Sequence, residues 1–574
     1  MTNQKLKPLT NSQESDFEGL REEQPLTAAE SYQSLLRSLR RKNGFNLLFV
    51  RCSPVQADEI IRRVSQDLPN KNIQVLQLDS ETDNLYEKIV DLPNYTNLNI
   101  LFVRGLENAL LRYEEAESEG YFLSSQSPVY GGTWAGVPKI LGYLNLSRER
   151  FERQFPFTLV FLLPEFALRY FIRRASDFFD WYSGVYEFPT DKDILEREIR
   201  RLVYLDGDLD TYQQFTPQQR QEKLAEIKAY LSDSPSLDPV QTSELWHKKG
   251  LIHQMGKEYE QAIASYDKAL EIKPDYHEAW YNRGVALGNL GRLEEAIASY
   301  DKALEIKPDF HDAWINRGFA LDNLGRLEEA IASYDQALEI KPDFHLAWYN
   351  RGVALGNLGR SEEAIASYDR ALEFKPDLHQ AWNNRGNALA DLGRLEEAIA
   401  SYDRALEIKP DYHEAWNNRG IALYNLGRLE EAIASCDRAL EIKPDDHQAW
   451  NNRGIALDNL RRFEQALASY DRALEIKPDL HEAWNNRGIA LRNLRRFEQA
   501  IASYDRALEI NSNYANTYYN KACCYGLQNN VELAIENLQS AINLDVKYQD
   551  MAKTDKDFEQ IRGDERFQSF LNRV

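Results

Sequence analysis

The chain has 574 residues, too many for one compact domain, and its 43% hydrophobic and 11% aromatic content is enough to bury real cores. A formal net charge of −22 argues against the phosphate backbone of nucleic acid as the principal ligand. Four cysteines, Cys52, Cys436, Cys523 and Cys524, follow no disulfide framework, which points to a reducing, cytoplasmic setting.

The opening Met1-Thr-Asn-Gln-Lys lacks the apolar run of a secretory signal, and residues 1–26 are polar and acidic, so a disordered tail is expected there. Tyr32, Leu35, Leu36 and Leu39 predict an amphipathic helix over 28–42. Apolar runs at 46–50, 73–78, 100–103, 158–163 and 185–188 then alternate with helical patterns near 56–66, 107–117, 166–174 and 193–204. That alternation predicts an α/β domain over 27–206, a parallel sheet with helices on its faces. Gly131-Gly132, Gly136 and Pro138 mark 120–145 as a loop-rich insertion. The most hydrophobic stretch, 155–172, contains Pro156, Pro164, Glu165 and Arg169, so no membrane span and no membrane partner are expected. A helix at 217–231 and the run Ser232-Asp-Ser-Pro-Ser-Leu-Asp-Pro239 make 207–242 a helix and linker.

Within the first domain, Leu47-Leu-Phe-Val-Arg51, Ile100-Leu-Phe-Val-Arg-Gly-Leu-Glu107 and Phe157-Thr-Leu-Val-Phe-Leu-Leu-Pro164, followed by Ala175-Ser-Asp-Phe-Phe-Asp-Trp181, resemble the nucleotide-binding domain of STAND-type signalling ATPases in degenerate form. A working phosphate loop needs glycines whose amides cradle phosphate, a lysine to pair it and a hydroxyl for magnesium. The loop here, Cys52-Ser-Pro-Val-Gln-Ala-Asp58-Glu59, has neither glycine nor lysine. Pro54 removes an amide donor, and Asp58 and Glu59 put negative charge where phosphate would sit. The second run ends without the metal-binding Asp. All nine histidines lie at or after His247, so this domain has no imidazole for acid–base chemistry. No catalytic residue, cofactor or metal is expected.

From 243 onward one pattern takes over. Trp246, Trp280, Trp314, Trp348, Trp382, Trp416, Trp450 and Trp484 recur every 34 residues, with Tyr518 in the ninth slot. With His277 as position 1, small or large apolar residues fall at positions 4 (Trp280), 8 (Gly284), 11 (Leu287), 20 (Ala296), 24 (Tyr300) and 27 (Ala303), on single helical faces. Gly291-Arg292 breaks the run into two helices, Pro308 stops the second, and Asp275-Tyr-His-Glu278 reads as a capping box. The Trp, Gly, Ala, Tyr, Ala and Pro of this pattern resemble tetratricopeptide repeats. The resemblance implies nine units over 243–548, an all-α solenoid of helical hairpins wound into a right-handed superhelix. Residues 549–574 are expected to form capping helices.

In this family the first helices line a concave groove and ligands meet positions 2, 5, 6, 9, 12 and 13. Position 6 is Asn282, Asn316, Asn350, Asn384, Asn418, Asn452, Asn486 and Asn520, and Lys248 in the first unit. This row resembles the asparagine ladder of the repeat region of O-linked N-acetylglucosamine transferases, which implies a grip on an extended peptide backbone. Position 9 is apolar at Val285, Phe319, Val353, Ile421, Ile455 and Ile489. Arg461-Arg462 and Arg495-Arg496, with Arg492 nearby, replace Gly-Arg at two hairpin turns, as a basic spot for acidic partners or as solvated turns. The expected function is a non-enzymatic scaffold that binds a protein or extended peptide, not nucleic acid. The alternatives are a nucleotide-switched signalling ATPase and a structural spacer.

Overall fold

A computed structural model describes residues 27–40, 44–118, 138–189, 192–205, 209–233 and 238–573. The acidic tail over 1–26 and most of the insertion over 120–145 lie outside the described residues. The chain divides into two compact units, Met1–Pro308 and Asp309–Val574.

The first unit holds strands β1 (Asn46–Arg51), β2 (Ile73–Gln77), β3 (Ile100–Arg104), β4 (Thr158–Leu163) and β5 (Gly184–Glu187). They form one parallel sheet in the order β2-β3-β4-β1-β5. The chain leaves β1 in one direction to reach β2, and every later step runs the other way. Right-handed crossovers therefore send the helix after β1 to one face and the helices after β2, β3 and β4 to the opposite face. The pleat follows suit. Leu48, Val50, Phe102 and Val160 join the cluster of Ala28–Arg40 and Pro54–Asp67. Leu47, Phe49, Leu101 and Phe161 join that of Leu106–Ser118, Lys139–Gln154 and Glu165–Arg174. With both faces covered, β4 is buried along its whole length. The connections after β1 and β4 leave on opposite faces, so their carboxyl ends frame the crevice where open α/β sheets bind ligands.

The second of these clusters does not stop at the sheet domain. It continues through Leu224, Ile227 and Tyr230 of Pro217–Asp233, then Leu245 and Ile252 of Pro239–Met255, to Tyr266 and Tyr300. The segment expected to be a helix and linker thus contributes core to the first two hairpins.

From the second hairpin to the eighth, a first helix of 13 residues starting at the position-1 histidine pairs with a second of 14, as in His311–Asn323 and Leu327–Ile340. The turn between them is a Schellman motif: Arg326 N–H donates to Leu321 C=O at 2.9 Å and Gly325 N–H to Asp322 C=O at 2.9 Å. Gly325 has φ +73°, and Arg461 and Arg495 hold +60° and +59° at the same slot in units seven and eight. The position-8 glycine is forced by packing, since a Cβ on Gly386 would lie 2.5 Å from the Tyr402 ring.

Two details differ from the sequence reading. The capping box does not form: the N-cap before His277 is Tyr276, with no side-chain bond. In most units this slot is aromatic or Leu, and its ring can meet the preceding unit's histidine, as Tyr412 meets His379 with centroids 5.0 Å apart. Where it is Asp446, the side chain does cap, accepting from Gln448 and Ala449. The tryptophans are half-buried at the junctions between units. Trp382 packs with Trp416 and Tyr412 around Leu406, and its Nε1 donates to the Pro376 carbonyl at 2.9 Å.

After the ninth hairpin, Lys547–Thr554 and Glu565–Arg573 lay Tyr548, Phe558, Phe567 and Leu571 over Tyr519, Ala522 and Leu538.

Candidate functional site

The position-6 asparagines sit on the first helices, and seven of the eight are half-buried; Asn520 is buried. Their Nδ2 groups reach position 5 of the unit before. Asn418 donates to Asn383 Oδ1 at 3.2 Å and to Asn387 Oδ1 at 3.1 Å. Asn452 donates to Asn417 Oδ1 at 3.0 Å, Asn486 to Asn451 Oδ1 at 3.3 Å, and Asn520 to Asn485 Oδ1 at 3.0 Å. Asn384 donates to the Tyr349 hydroxyl at 3.2 Å. Asn282, in the second repeat, lies 2.9 Å from Nε2 of His247 in the first. Asn316 occupies the same face of its helix. Asn350 follows Ile315, which offers no side-chain acceptor.

Position 5 is the partner the sequence reading missed. Its signal was the Asn-Asn doublet of Trp-Asn-Asn-Arg-Gly in units five to eight. A carboxamide carries two N–H donors and an oxygen with two acceptor sites. At Asn384, Asn452 and Asn486 one donor is used between units, and at Asn418 both are; the bond fixes the rotamer and leaves at least the carboxamide oxygen for a ligand.

His247 fills position 5 of the first unit. Its Nδ1 lies 3.0 Å from the Tyr276 hydroxyl, and burial pulls its pKa down to about 3. It is therefore a neutral imidazole that accepts at Nε2.

Position 9 adds apolar surface beside the amides, with Phe319 57% and Ile421 39% exposed and Val353, Ile455 and Ile489 half-buried. Asn387 interrupts the row and accepts from the Tyr402 hydroxyl at 2.8 Å. Two of the arginines of units seven and eight are engaged within the protein. Arg462 pairs with Glu430 at 2.8 Å, whereas Arg492, only 18% exposed, pairs with Asp557 at 3.3 Å.

Asp557 belongs to a three-donor set with Cys523 and Asp555, whose ligand atoms lie within 4.8 Å of one another. Its charge is balanced from within the protein. Arg492 pairs with Asp557, the Tyr519 hydroxyl donates to Asp555 Oδ2 at 2.7 Å, and burial pushes the Cys523 thiol well up. The set acts as a polar lock between the last units and the C-terminal helices.

At the carboxyl end of the sheet, Arg51 lies 3.6 Å from Glu165 and 3.4 Å from Glu187, and Glu165 also pairs with Arg169. Arg104, at the end of β3, pairs with Asp58 of the helix after β1. Ser53 and Gln56 form a reciprocal capping box, with Ser53 N–H donating to Gln56 Oε1 at 2.9 Å and Gln56 N–H to Ser53 Oγ at 3.3 Å. The helix end that could face an anion is thus served by its own side chains. Glu107 has a buried Oε2 without a hydrogen-bond partner, and burial pushes its pKa up to about 7. No helix among the described residues is long and apolar enough to cross a membrane.

Family models described as tetratricopeptide repeat match residues 277–310, 299–332, 349–413, 383–447, 447–480, 481–514 and 515–547. A TPR repeat model matches 252–291 and 323–359. Comparison with curated proteins gives no match. Among solved structures, MamA is 23% identical over 30% of this chain and 93% of its own, with a TM-score of 0.29. YrrB, described as a TPR protein with an unusual peptide-binding site, is 26% identical over 31% of this chain and 92% of its own, with a TM-score of 0.28. A tetratricopeptide repeat protein from Parabacteroides merdae is 18% identical over 46% and 97%, with a TM-score of 0.36. Matched without a break from residue 252 to 547, more than half its length, the chain belongs to the tetratricopeptide repeat family.

Proposed function

We propose that the chain is a non-enzymatic scaffold that holds an extended segment of a protein partner along the first helices of its repeats. Asn282, Asn316, Asn350, Asn384, Asn418, Asn452, Asn486 and Asn520 grip the segment's backbone. The observation that carries this reading is the row of carboxamides braced from unit to unit, as in Asn452 to Asn417 and Asn486 to Asn451. Side chains already held in one rotamer lose little freedom on binding. Neighbouring helices pack about 8–10 Å apart and an extended chain rises about 3.3 Å per residue. One amide therefore meets roughly every third residue of the segment, and each net bond is worth about 0.5–1.5 kcal/mol.

Asn350 gives the cleanest test, because Ile315 offers it no bond between units. Asn350→Ala weakens partner capture a few-fold without changing stability. Alanine at Asn350, Asn384, Asn418, Asn452 and Asn486 together abolishes it. A quintuple variant that is folded by circular dichroism and still captures its partner at wild-type affinity overturns the reading.

The same proposal assigns the α/β domain no nucleotide turnover. What supports this is the pairing of Arg104 with Asp58 and of Arg51 with Glu165, charges that neutralise each other in the crevice where a ligand of an open sheet would sit. The full chain then hydrolyses ATP with magnesium no faster than buffer. Activity lost on mutating residues 52–59 overturns this part.

A further inference from the structure

Along Asp309–Val574, the charges on the groove positions of the first helices are almost all of one sign. Positions 2, 5, 6, 9, 12 and 13 of units three to eight carry Asp312, Asp322, Asp391, Glu414, Asp458 and Glu482. The single base among them is Arg492, which is committed to Asp557.

A negative surface alone would say little on a chain this acidic. What separates the groove is the shortage of bases. On the second helices bases alternate with the acids and most acids are matched, Glu363 by Arg360 at 2.5 Å, Glu397 by Arg394 at 2.5 Å, and Asp335 by Arg351 at 2.6 Å, while Glu328, Glu362 and Glu396 form no ion pair among the described residues. In the groove, Asp322, Asp391 and Asp458 form no ion pair among the described residues. Asp312, Glu414 and Glu482 meet only the imidazole of the histidine before them. Between these acids lie three exposed apolar side chains, Phe319 at 57%, Leu346 at 43% and Ile421 at 39%. Unpaired carboxylates beside exposed apolar groups suit side chains with an aliphatic stem and a cationic head.

We infer that the segment held in the groove is a basic one, with lysine or arginine recurring between bulky apolar residues. This rests on the peptide-holding reading above and names the class of peptide.

The test is fluorescence anisotropy of the full chain with three labelled peptides of equal length. All share the same Phe and Leu positions and carry Lys, Gln or Glu at the remaining ones. Exposed pairs are worth about 0.2–1 kcal/mol each, so the Lys peptide binds about tenfold tighter than the Gln peptide at low salt. Salt narrows that gap, and the Glu peptide binds more weakly than either. The triple variant Asp322→Asn, Asp391→Asn, Glu414→Gln brings the Lys peptide to the level of the Gln peptide and leaves the Gln peptide unchanged. Phe319→Ala weakens both. Equal binding of the Lys and Gln peptides overturns the inference and leaves the groove reading standing. A Lys preference indifferent to the triple variant and to Phe319→Ala places the attraction outside the groove and also overturns it. Failure of all three peptides to bind overturns both readings together.

Discussion

Arg385 donates from Nε to Asp369 Oδ1 of the preceding unit at 2.6 Å, and from Nη1 to Ser401 Oγ of its own second helix at 2.7 Å. Its guanidinium lies 5.8 Å from the Trp382 ring centroid. One planar group thus joins a junction between units to the interior of a hairpin, and the arrangement recurs at Arg351, Arg419, Arg453 and Arg487. In the ninth unit Lys521 keeps the bond to Asp505.

An ammonium is a point charge without the fork of a guanidinium. Arg385→Lys therefore keeps the Asp369 contact and loses Ser401, at about 1 kcal/mol. Arg385→Ala costs about 2 kcal/mol, since the half-exposed Asp369 is rehydrated rather than stranded. Urea denaturation of the two variants gives the comparison; equal losses would mean that the bond to Ser401 contributes nothing.

Arg461 and Arg495 hold a left-handed backbone that five other turns give to glycine. A Cβ on the equivalent Gly359 would meet nothing within 4 Å, so the cost is local to the backbone. Arg461→Gly should stabilise the array by about 1 kcal/mol, and Gly359→Arg should destabilise it by a similar amount. Thermal melts that move in the opposite sense would refute this.

His247 makes the first hairpin sensitive to acid. Burial lowers its folded pKa to about 3, below the ordinary 6.5. Above pH 6.5 it is neutral in both states and costs nothing. Between 6.5 and 3 the unfolded chain takes up a proton that the folded one refuses, and stability falls. At pH 5 the loss is about 2 kcal/mol. His247→Gln should flatten the pH profile between 7.5 and 5 relative to wild type, as read by chemical denaturation; an unchanged slope would assign the acid sensitivity elsewhere.

The lock on the last unit offers a chemical readout. Arg492→Ala leaves Asp557, whose carboxyl burial already pushes up, without its counter-charge. The expected cost is about 3 kcal/mol, confined to the C-terminal end. Cys523, fully buried in wild type, should then react faster with a thiol reagent. Unaltered labelling kinetics would show that Tyr519 and Asp555 hold the end unaided.

The hairpins were legible because each packing position returns every 34 residues and is read many times over. Gly386 and Tyr402 were placed correctly by that repetition, since their contact recurs in most units. The alternating apolar runs likewise predict the parallel sheet. The capping box failed because local chemistry at Asp275 and Glu278 competes with ring contacts to the preceding unit, which a four-residue motif does not contain. The amide partners of the position-6 row were missed for a related reason. Asn417 and Asn452 are 35 residues apart, one more than the period, so comparing like positions never pairs them. Core continuity through Pro217–Asp233 was also missed, because composition marks the polar residues that flank this helix and not what its Leu224 and Tyr230 touch.

Between units five and nine, every position-6 amide donates to position 5 of the unit before it. Units five to eight carry the same Asn-Asn doublet, so each brings a donor for its predecessor and an acceptor for its successor. A gene duplication that copies one of these four therefore inserts a unit whose two new boundaries are already complementary. The array can lengthen in that stretch with no compensating mutation, while a copy inserted after Ile315 would begin with a boundary that has no acceptor. Length is thus an evolvable quantity among units five to eight and a constrained one at Ile315.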